Sequence, residues 1–342
     1  MNPDNLLLLK GDEINQILHQ RENEILAAVQ LAYQAHAHGN TIMPPNAYLR
    51  FSGIATKKRI LAKPAYLGEN FNVAGIKWIA SFPNNLAHNR DRASATLILN
   101  SMETGVPTAF MEASIIGIKR TAASAALAAQ KLWPHNTLSA VGIVGCGQIN
   151  YETLRFLLTL YPTIEMVSLH NRSQARAEQF QRKAQELKPH LNIRVRESSS
   201  AVLQETQIVS FATSSMKPHI DSLAGHAEDV VLLHLSSRDF SPQLILEADN
   251  VVDDVDHICD HQTSLHLAEQ QVGHRDFIRT TIGDIFNGDA PNRDTTKPVA
   301  IFSPFGLGIL DLAVAHLIEQ LAIKQNVGTV IEGFLPNSWQ DR

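Results

Sequence analysis

The stretch Leu138-Ser-Ala-Val-Gly-Ile-Val-Gly-Cys-Gly-Gln-Ile-Asn150 constrains this chain more than any other. An apolar run, 138–144, stops at Gly145 and Gly147, after which Ile149, Phe156, Leu157 and Leu160 recur at helical spacing. The pattern predicts a buried strand, a tight glycine turn and a helix N-terminus. Bare backbone N–H groups and the positive end of the helix dipole meet at such a corner, which suits a pyrophosphate. The motif is G-x-G-x-x-N, with Asn150 where a third glycine is usual, and two glycines also suit a plain tight corner.

The downstream pattern favours a dinucleotide. Beyond 138–144 and a helix over 147–160, strand-like segments at Met166–His170, 193–196, 208–212, 230–235 and 250–252 are interleaved with helical ones such as Gln174–Leu187. Strands alternating with helices predict a parallel, doubly wound α/β sheet. The first part of the chain reads differently. A helix over 21–38 ends at Gly39-Asn40, and short strands at 47–51, 59–63, Val73–Ser81, Ala93–Asn100 and 108–111 are separated by turn signals, as in an antiparallel sheet. Helices come next at 120–132 and, near the end, at 310–323, the latter amphipathic and expected to return to the N-terminal domain.

At 342 residues the chain is long enough for two domains, and its net charge of −5 gives no basic surface for nucleic acid or an anionic membrane. No apolar run approaches the roughly 18 residues of a membrane span. The leucine-rich start lacks a basic leader and a small-residue cleavage site, so it reads as a strand, and the two cysteines have no CxxC neighbour. A cytoplasmic protein is expected.

Several residues could carry chemistry. An acidic residue usually receives the adenosine ribose after the second strand of such a sheet. Here that strand ends His170-Asn-Arg-Ser173, with no acid, and Asn171 and Arg172 could instead meet a 2′-phosphate or simply form a solvated turn. Thr213 and Ser214 come after a strand at the edge where ligands bind, although hydroxyl residues are also ordinary turn formers. Asp239 lies past another strand, placed either as an acid–base group or as the N-cap of a helix starting at Pro242. Lys77 interrupts an apolar strand, and Arg50, Arg92 and Arg120 adjoin apolar segments. Converging guanidinium forks would suit a substrate with two or three carboxylates. The acidic run 251–261, with two histidines, fits neither zinc nor calcium spacing, so no metal is expected.

Taken together, Gly75-Ile-Lys-Trp-Ile79, Pro107-Thr-Ala-Phe-Met-Glu112, Lys119-Arg-Thr-Ala-Ala-Ser124, the Gly145-Cys-Gly147 turn and Ser303-Pro-Phe-Gly306 resemble the ornithine cyclodeaminase/mu-crystallin family. The resemblance implies a Rossmann domain over 133–307 that binds NAD or NADP. It also implies an α+β substrate-binding and dimerisation domain made from both chain ends, 1–132 and 308–342, in a homodimeric enzyme acting on a small amino acid. Arg120 would then meet the substrate carboxylate, Lys77 would contact substrate, and Asp239 would act on the reacting centre. Cofactor contacts would come from Thr121, Gly145, Gly147, Gln148, Ile149, Asn171, Arg172, Thr213, Ser214, Phe305 and Gly306.

Within the family, the segments around Tyr48-Leu-Arg50, Ile76–81 and Arg92–100 are similar to the N-(2-amino-2-carboxyethyl)-L-glutamate dehydrogenases, which supply 2,3-diaminopropionate to siderophore and peptide natural-product pathways. Ornithine cyclodeaminases carry threonine where Arg92 stands. The chain departs from that branch at Asn150, often glycine there, and at Asn171, near which the branch has aspartate. Ornithine cyclodeamination, alanine dehydrogenation and ketimine reduction on the same fold remain alternatives, as does a non-catalytic NADPH-binding protein like mu-crystallin.

Overall fold

A computed structural model describes residues 5–51, 58–223, 225–226, 229–260, 262–293 and 296–336. The chain divides into two compact units, one of Met1–Arg120 with Leu307–Arg342, the other of Thr121–Gly306. The division falls inside a helix, whereas the sequence pattern placed it at that helix's end.

The first unit opens with β1 (Leu6–Leu9), α1 (Gly11–Ile17), α2 (Glu22–Ala37), β2 (Thr41–Ile42) and β3 (Ala47–Arg50). It continues through β4 (Arg59–Leu67), β5 (Val73–Ser81), β6 (Ala93–Asn100), β7 (Pro107–Glu112) and the start of α3 (Ser114–Leu132). Helix α3 begins at Ser114, ahead of the expected 120. The Glu112 carboxylate accepts the backbone N–H groups of Ser114 (2.6 Å) and Ile115 (3.2 Å), which a bare helix start would leave unsatisfied.

The second unit carries β8 (Ala140–Val144), α4 (Gln148–Leu160), β9 (Met166–His170), α5 (Gln174–Leu187), β10 (Asn192–Val195), α6 (Ser199–Glu205) and β11 (Ile208–Phe211). It then runs through β12 (Val230–His234), α7 (Pro242–Glu247), β13 (Asp249–Val252), α8 (Val255–Ile258), α9 (Ser264–Val272), β14 (Ile278–Thr281), α10 (Ile282–Asn287) and β15 (Val299–Ser303). The chain returns to the first unit as α11 (Gly308–Gln325) and β16 (Thr329–Ile331).

The first unit's sheet has the order β16-β1-β7-β6-β5-β4-β2, with β3 paired to β4. Its pairings are antiparallel, as the pattern predicts, except that β1 runs parallel to β7. Helix α11 packs on α2 and across β4, β5 and β6. Every residue from Ile309 to Ala315 is buried, so the helix is enclosed all round at its start rather than amphipathic.

The second unit is the expected Rossmann arrangement, a fully parallel sheet of order β10-β9-β8-β11-β12-β15-β13-β14. The chain leaves β8 towards β9 on one side and resumes at β11 on the other, so the β8/β11 carboxyl edge is the switch point where such sheets bind ligands. Among the described residues no helix is long and apolar enough to cross a membrane.

Candidate active site

Each unit carries its own cluster of polar side chains. In the first, strand register decides which residues share a face. Arg50 lies opposite Arg59, Arg59 opposite Ser81, and Lys63 opposite Lys77, so all five face the side covered by α11. Lys77 Nζ is 2.8 Å from Asp311 Oδ1, and Arg120 Nε is 3.2 Å from the same oxygen. The approach needs Gly117 on α3, because a Cβ there would sit 2.5 Å from Lys77 Nζ. Burial pushes the Lys77 ammonium below its ordinary range, against the pull of Asp311 and with the like charge of Arg120 adding to it. Burial acts to raise the Asp311 carboxyl, but Arg120 and Lys77 outweigh it and hold it below its ordinary value. Two cations thus share one anion, and the cluster keeps one positive charge.

A second cationic group lies at the end of the same sheet face. Arg92 Nε donates to Ser81 Oγ at 3.4 Å, and burial, then the like charge of Arg59, lowers the Arg92 guanidinium. Arg50, exposed at the end of β3, stacks over the Tyr48 ring at 5.0 Å. The structure therefore brings Lys77 and Arg120 together on Asp311 and gathers Arg50, Arg59 and Arg92 around the Ser81 row, rather than converging three arginines on one point. Arg59 and Lys63 are four residues apart on one strand, about 13 Å at 3.3 Å each.

In the second unit, Gly145 has φ +95°, and a Cβ on it would stand 2.5 Å from the Ala212 carbonyl oxygen, so only glycine turns this corner against the neighbouring segment. Gly147 is the N-cap of α4, has no side-chain cap, and would meet nothing within 4 Å of an added Cβ. The first turn of α4, including Gln148 and Ile149, thus offers bare N–H groups to open space, and these residues fit a dinucleotide pyrophosphate. Asn150, where a glycine was the norm, does not loosen the helix. It is fully buried, and its Nδ2 faces the carbonyls of Val144 (3.0 Å), Gly145 (2.7 Å) and Ser210 (3.3 Å), while its Oδ1 accepts from Ser210 Oγ at 2.7 Å. The amide thereby ties the glycine turn to β8 and β11.

Asn171 Oδ1 accepts the Cys146 N–H at 3.1 Å, and Arg172 Nη2 lies 3.4 Å from Ser214 Oγ, so the loop expected at the adenosine end meets both the glycine turn and the Thr213–Ser214 strand end. Phe305 and Gly306 donate their backbone N–H groups to the two oxygens of Asp253, at 2.8 and 2.6 Å. This is the work of one acid in the 251–261 run. Asp254 caps α8 by accepting the His257 N–H at 2.8 Å, Asp256 pairs with Arg275, and His261 lies outside the described residues. Thr121 opens the second unit, inside α3.

Asp239 is not a helix cap, for Ser241 caps α7. Its carboxylate is fully buried, accepting Thr213 Oγ1 at 2.5 Å on Oδ1 and the Ser236 hydroxyl on Oδ2. Its backbone N–H reaches His234 Nε2 at 3.1 Å, and that ring contacts Ser303 Oγ at 3.0 Å through Nδ1. Burial acts to raise the Asp239 carboxyl; the His234 ring and the two hydroxyl donors act the other way and hold it below its ordinary value. His219 Nε2, partly exposed, stands 3.8 Å from Oδ1.

The profile of the ornithine cyclodeaminase/mu-crystallin family matches residues 9–326. The chain belongs to that family. It is 29% identical over 331 residues to the N-((2S)-2-amino-2-carboxyethyl)-L-glutamate dehydrogenase of Staphylococcus aureus, covering 95% of this chain and 98% of that one. It is 28% identical to the alanine dehydrogenase of Archaeoglobus fulgidus, covering 96% and 98%. Among solved structures, an archaeal alanine dehydrogenase dimer with bound NAD superposes with a TM-score of 0.84 at 26% identity, over 96% of this chain and 99% of that one.

Sequence reasoning missed Asp311, Arg59 and the Asn150–Ser210 tie. A lone acid inside the apolar run Gly308-Ile-Leu-Asp-Leu-Ala-Val314 is the signal that could have found the first.

Proposed function

We propose that this chain catalyses the oxidative cleavage of N-(2-amino-2-carboxyethyl)-L-glutamate to L-2,3-diaminopropionate and 2-oxoglutarate. Membership of the family makes it an NAD(P)-dependent enzyme of the amino-acid dehydrogenase and cyclodeaminase type; the substrate is the further step. The observation that carries it is the second cationic group, Arg59 and Arg92 beside Ser81, on the same sheet face as Lys77 and about 13 Å along the strand. An amino acid as small as alanine engages one such group. A conjugate with three carboxylates engages both.

In this reading Lys77 and Arg120 hold the carboxylate next to the reacting carbon, and Arg92 with Arg59 and Arg50 holds a distal one. Orientation of that carbon lowers the barrier by several kcal/mol. The nicotinamide, when bound, accepts the hydride lost from the glutamate Cα. The substrate is left as an iminium between Cα and nitrogen, the amine proton still in place. Water adds at Cα, its proton passing to Asp239; Asp239 gives that proton to the nitrogen as the C–N bond breaks and takes the remaining hydroxyl proton, giving the amine and the keto acid. The solvent-facing His219 provides a route for returning the Asp239 proton to water.

The sheet face opposite Lys77 carries the exposed Ile42, Leu49 and Trp78, and we assign it to self-association as a homodimer. A solution mass equal to one chain would overturn that assignment.

The test of the reaction is turnover. Purified protein is incubated with the conjugate and NAD⁺ or NADP⁺, and reduced cofactor and 2-oxoglutarate are followed, with alanine, ornithine and pyrroline-2-carboxylate as competing substrates. Cleavage of the conjugate with the highest kcat/KM supports the reading. Faster turnover of a monocarboxylate, or cofactor binding without any turnover, refutes it.

A further inference from the structure

The buried cluster of the first unit is built around an anion. Asp311 is fully enclosed at the start of α11, and its Oδ1 alone meets both Lys77 Nζ (2.8 Å) and Arg120 Nε (3.2 Å). Its Oδ2, also buried, has no hydrogen-bond partner among the described residues. A buried carboxylate oxygen without a donor is costly, so its retention here calls for a role beyond packing.

We infer that Asp311 is the positioning residue of this site: through one oxygen it clamps the Lys77 ammonium and the Arg120 guanidinium side by side, so that together they present one net positive charge to a single substrate carboxylate. The inference rests on the proposal that Lys77 and Arg120 bind substrate. Contact through Nε leaves the terminal fork of Arg120 for a bidentate carboxylate. The acid sits on a helix buried at every neighbouring position, so the clamp is held by the core and not by a loop.

The clamp has an electrostatic consequence. Lys77 is faced by Asp311 from α11, Arg120 from α3, Glu112 from β7 and Lys63 across the strand pair from β4. Glu112 acts more weakly than Asp311 to keep the Lys77 proton in place, and the Lys63 charge acts on Asp311. Without the Asp311 charge, Lys77 is a buried ammonium beside a guanidinium, and both burial and repulsion drive off its proton. A neutral Lys77 no longer contributes charge to carboxylate binding.

Asp311→Asn keeps the size of the side chain and removes its charge. The Lys77 titration is read directly from the ¹³Cε resonance of labelled lysine, assigned by its loss in Lys77→Met. The expected result is a fall of about one pH unit or more in the Lys77 midpoint. The KM for the amino-acid substrate should rise about tenfold while cofactor affinity, set in the other unit, stays within about twofold. Asp311→Glu should recover part of the Lys77 shift. A folded Asp311→Asn protein with an unchanged Lys77 midpoint overturns the inference. Should that variant fail to fold, Arg120→Gln decides, since removing the like charge must raise the Lys77 midpoint, and no movement overturns the cluster. If the wild-type protein turns over no amino acid while the Lys77 midpoint still moves, the functional reading fails and only the hold of Asp311 on the Lys77 charge stands.

Discussion

Replacing Asn150 with glycine restores the third glycine of the dinucleotide fingerprint and is nonetheless expected to weaken both the fold and cofactor binding. The Asn150 amide has two N–H donors for three carbonyls, those of Val144 (3.0 Å), Gly145 (2.7 Å) and Ser210 (3.3 Å), so the longest contact is the weakest share. Its Oδ1 takes the Ser210 hydroxyl at 2.7 Å, in a fully buried setting. Two donated bonds and one accepted bond, at about 1 kcal/mol each, give a loss of about 3 kcal/mol. Part of that loss appears as freedom of the Gly145–Gly147 turn, and a dinucleotide must then immobilise what the amide now holds. A cofactor dissociation constant raised about tenfold corresponds to about 1.4 kcal/mol of it. The assay is a fluorescence titration with NADH and NADPH beside a denaturant melt. Asn150→Ala should fall close to Asn150→Gly, and Asn150→Asp should be worse than either, because it sets a carboxylate against three carbonyls. If Asn150→Gly binds cofactor as tightly as wild type and melts at the same denaturant concentration, the amide does not lock the turn.

The same geometry sets other outcomes. Arg92→Thr should lower kcat/KM for the tricarboxylate conjugate by about 10- to 100-fold, the equivalent of one charge-assisted hydrogen-bond pair, and leave alanine-sized substrates unaffected; an equal loss for both classes would show that Arg92 is structural. Asp311 and Asp239 are both held below their ordinary value of 3.8, so their contribution to stability is present above that value and is lost as pH falls towards the lowered folded values. Denaturant midpoints should therefore fall between about pH 5 and about pH 3, less steeply in Asp239→Asn; a flat profile in the wild type would contradict the assignment. Burial pushes the Cys146 thiol up to about 12, so it should alkylate far more slowly than a free thiol near pH 8, and rapid stoichiometric labelling of the folded protein would refute this.

Much of this protein is legible in its sequence because short-range pattern carries it. The strand–glycine–helix corner at 138–150, the alternation after it and the strands at Val73–Ser81 and Ala93–Asn100 all arise from local periodicity and from the backbone needs of Gly145. The same pattern marked Lys77 as a charge inside an apolar strand, Arg120 as a charge beside an apolar segment and Asp239 as an acid just past a strand at the ligand-binding edge. It did not give β15, whose five buried residues form an apolar run too short to distinguish from loop or helix until β12 and β13 flank it. Tertiary structure alone decided the partners of those residues. Lys77 and Asp311 are 234 positions apart, and no periodicity relates them; only α11 returning over β5 lays the acid beside the amine. Register, not spacing, put Arg59 in line with Ser81 and hence near Arg92. Asn150 read as a lapse in the fingerprint because a motif counts residue types, whereas the partner that explains it, Ser210, belongs to a strand that only parallel pairing brings alongside. Sequence specifies which groups a chain can offer; their protonation, partners and shared targets depend on distances that exist only once the sheets are assembled.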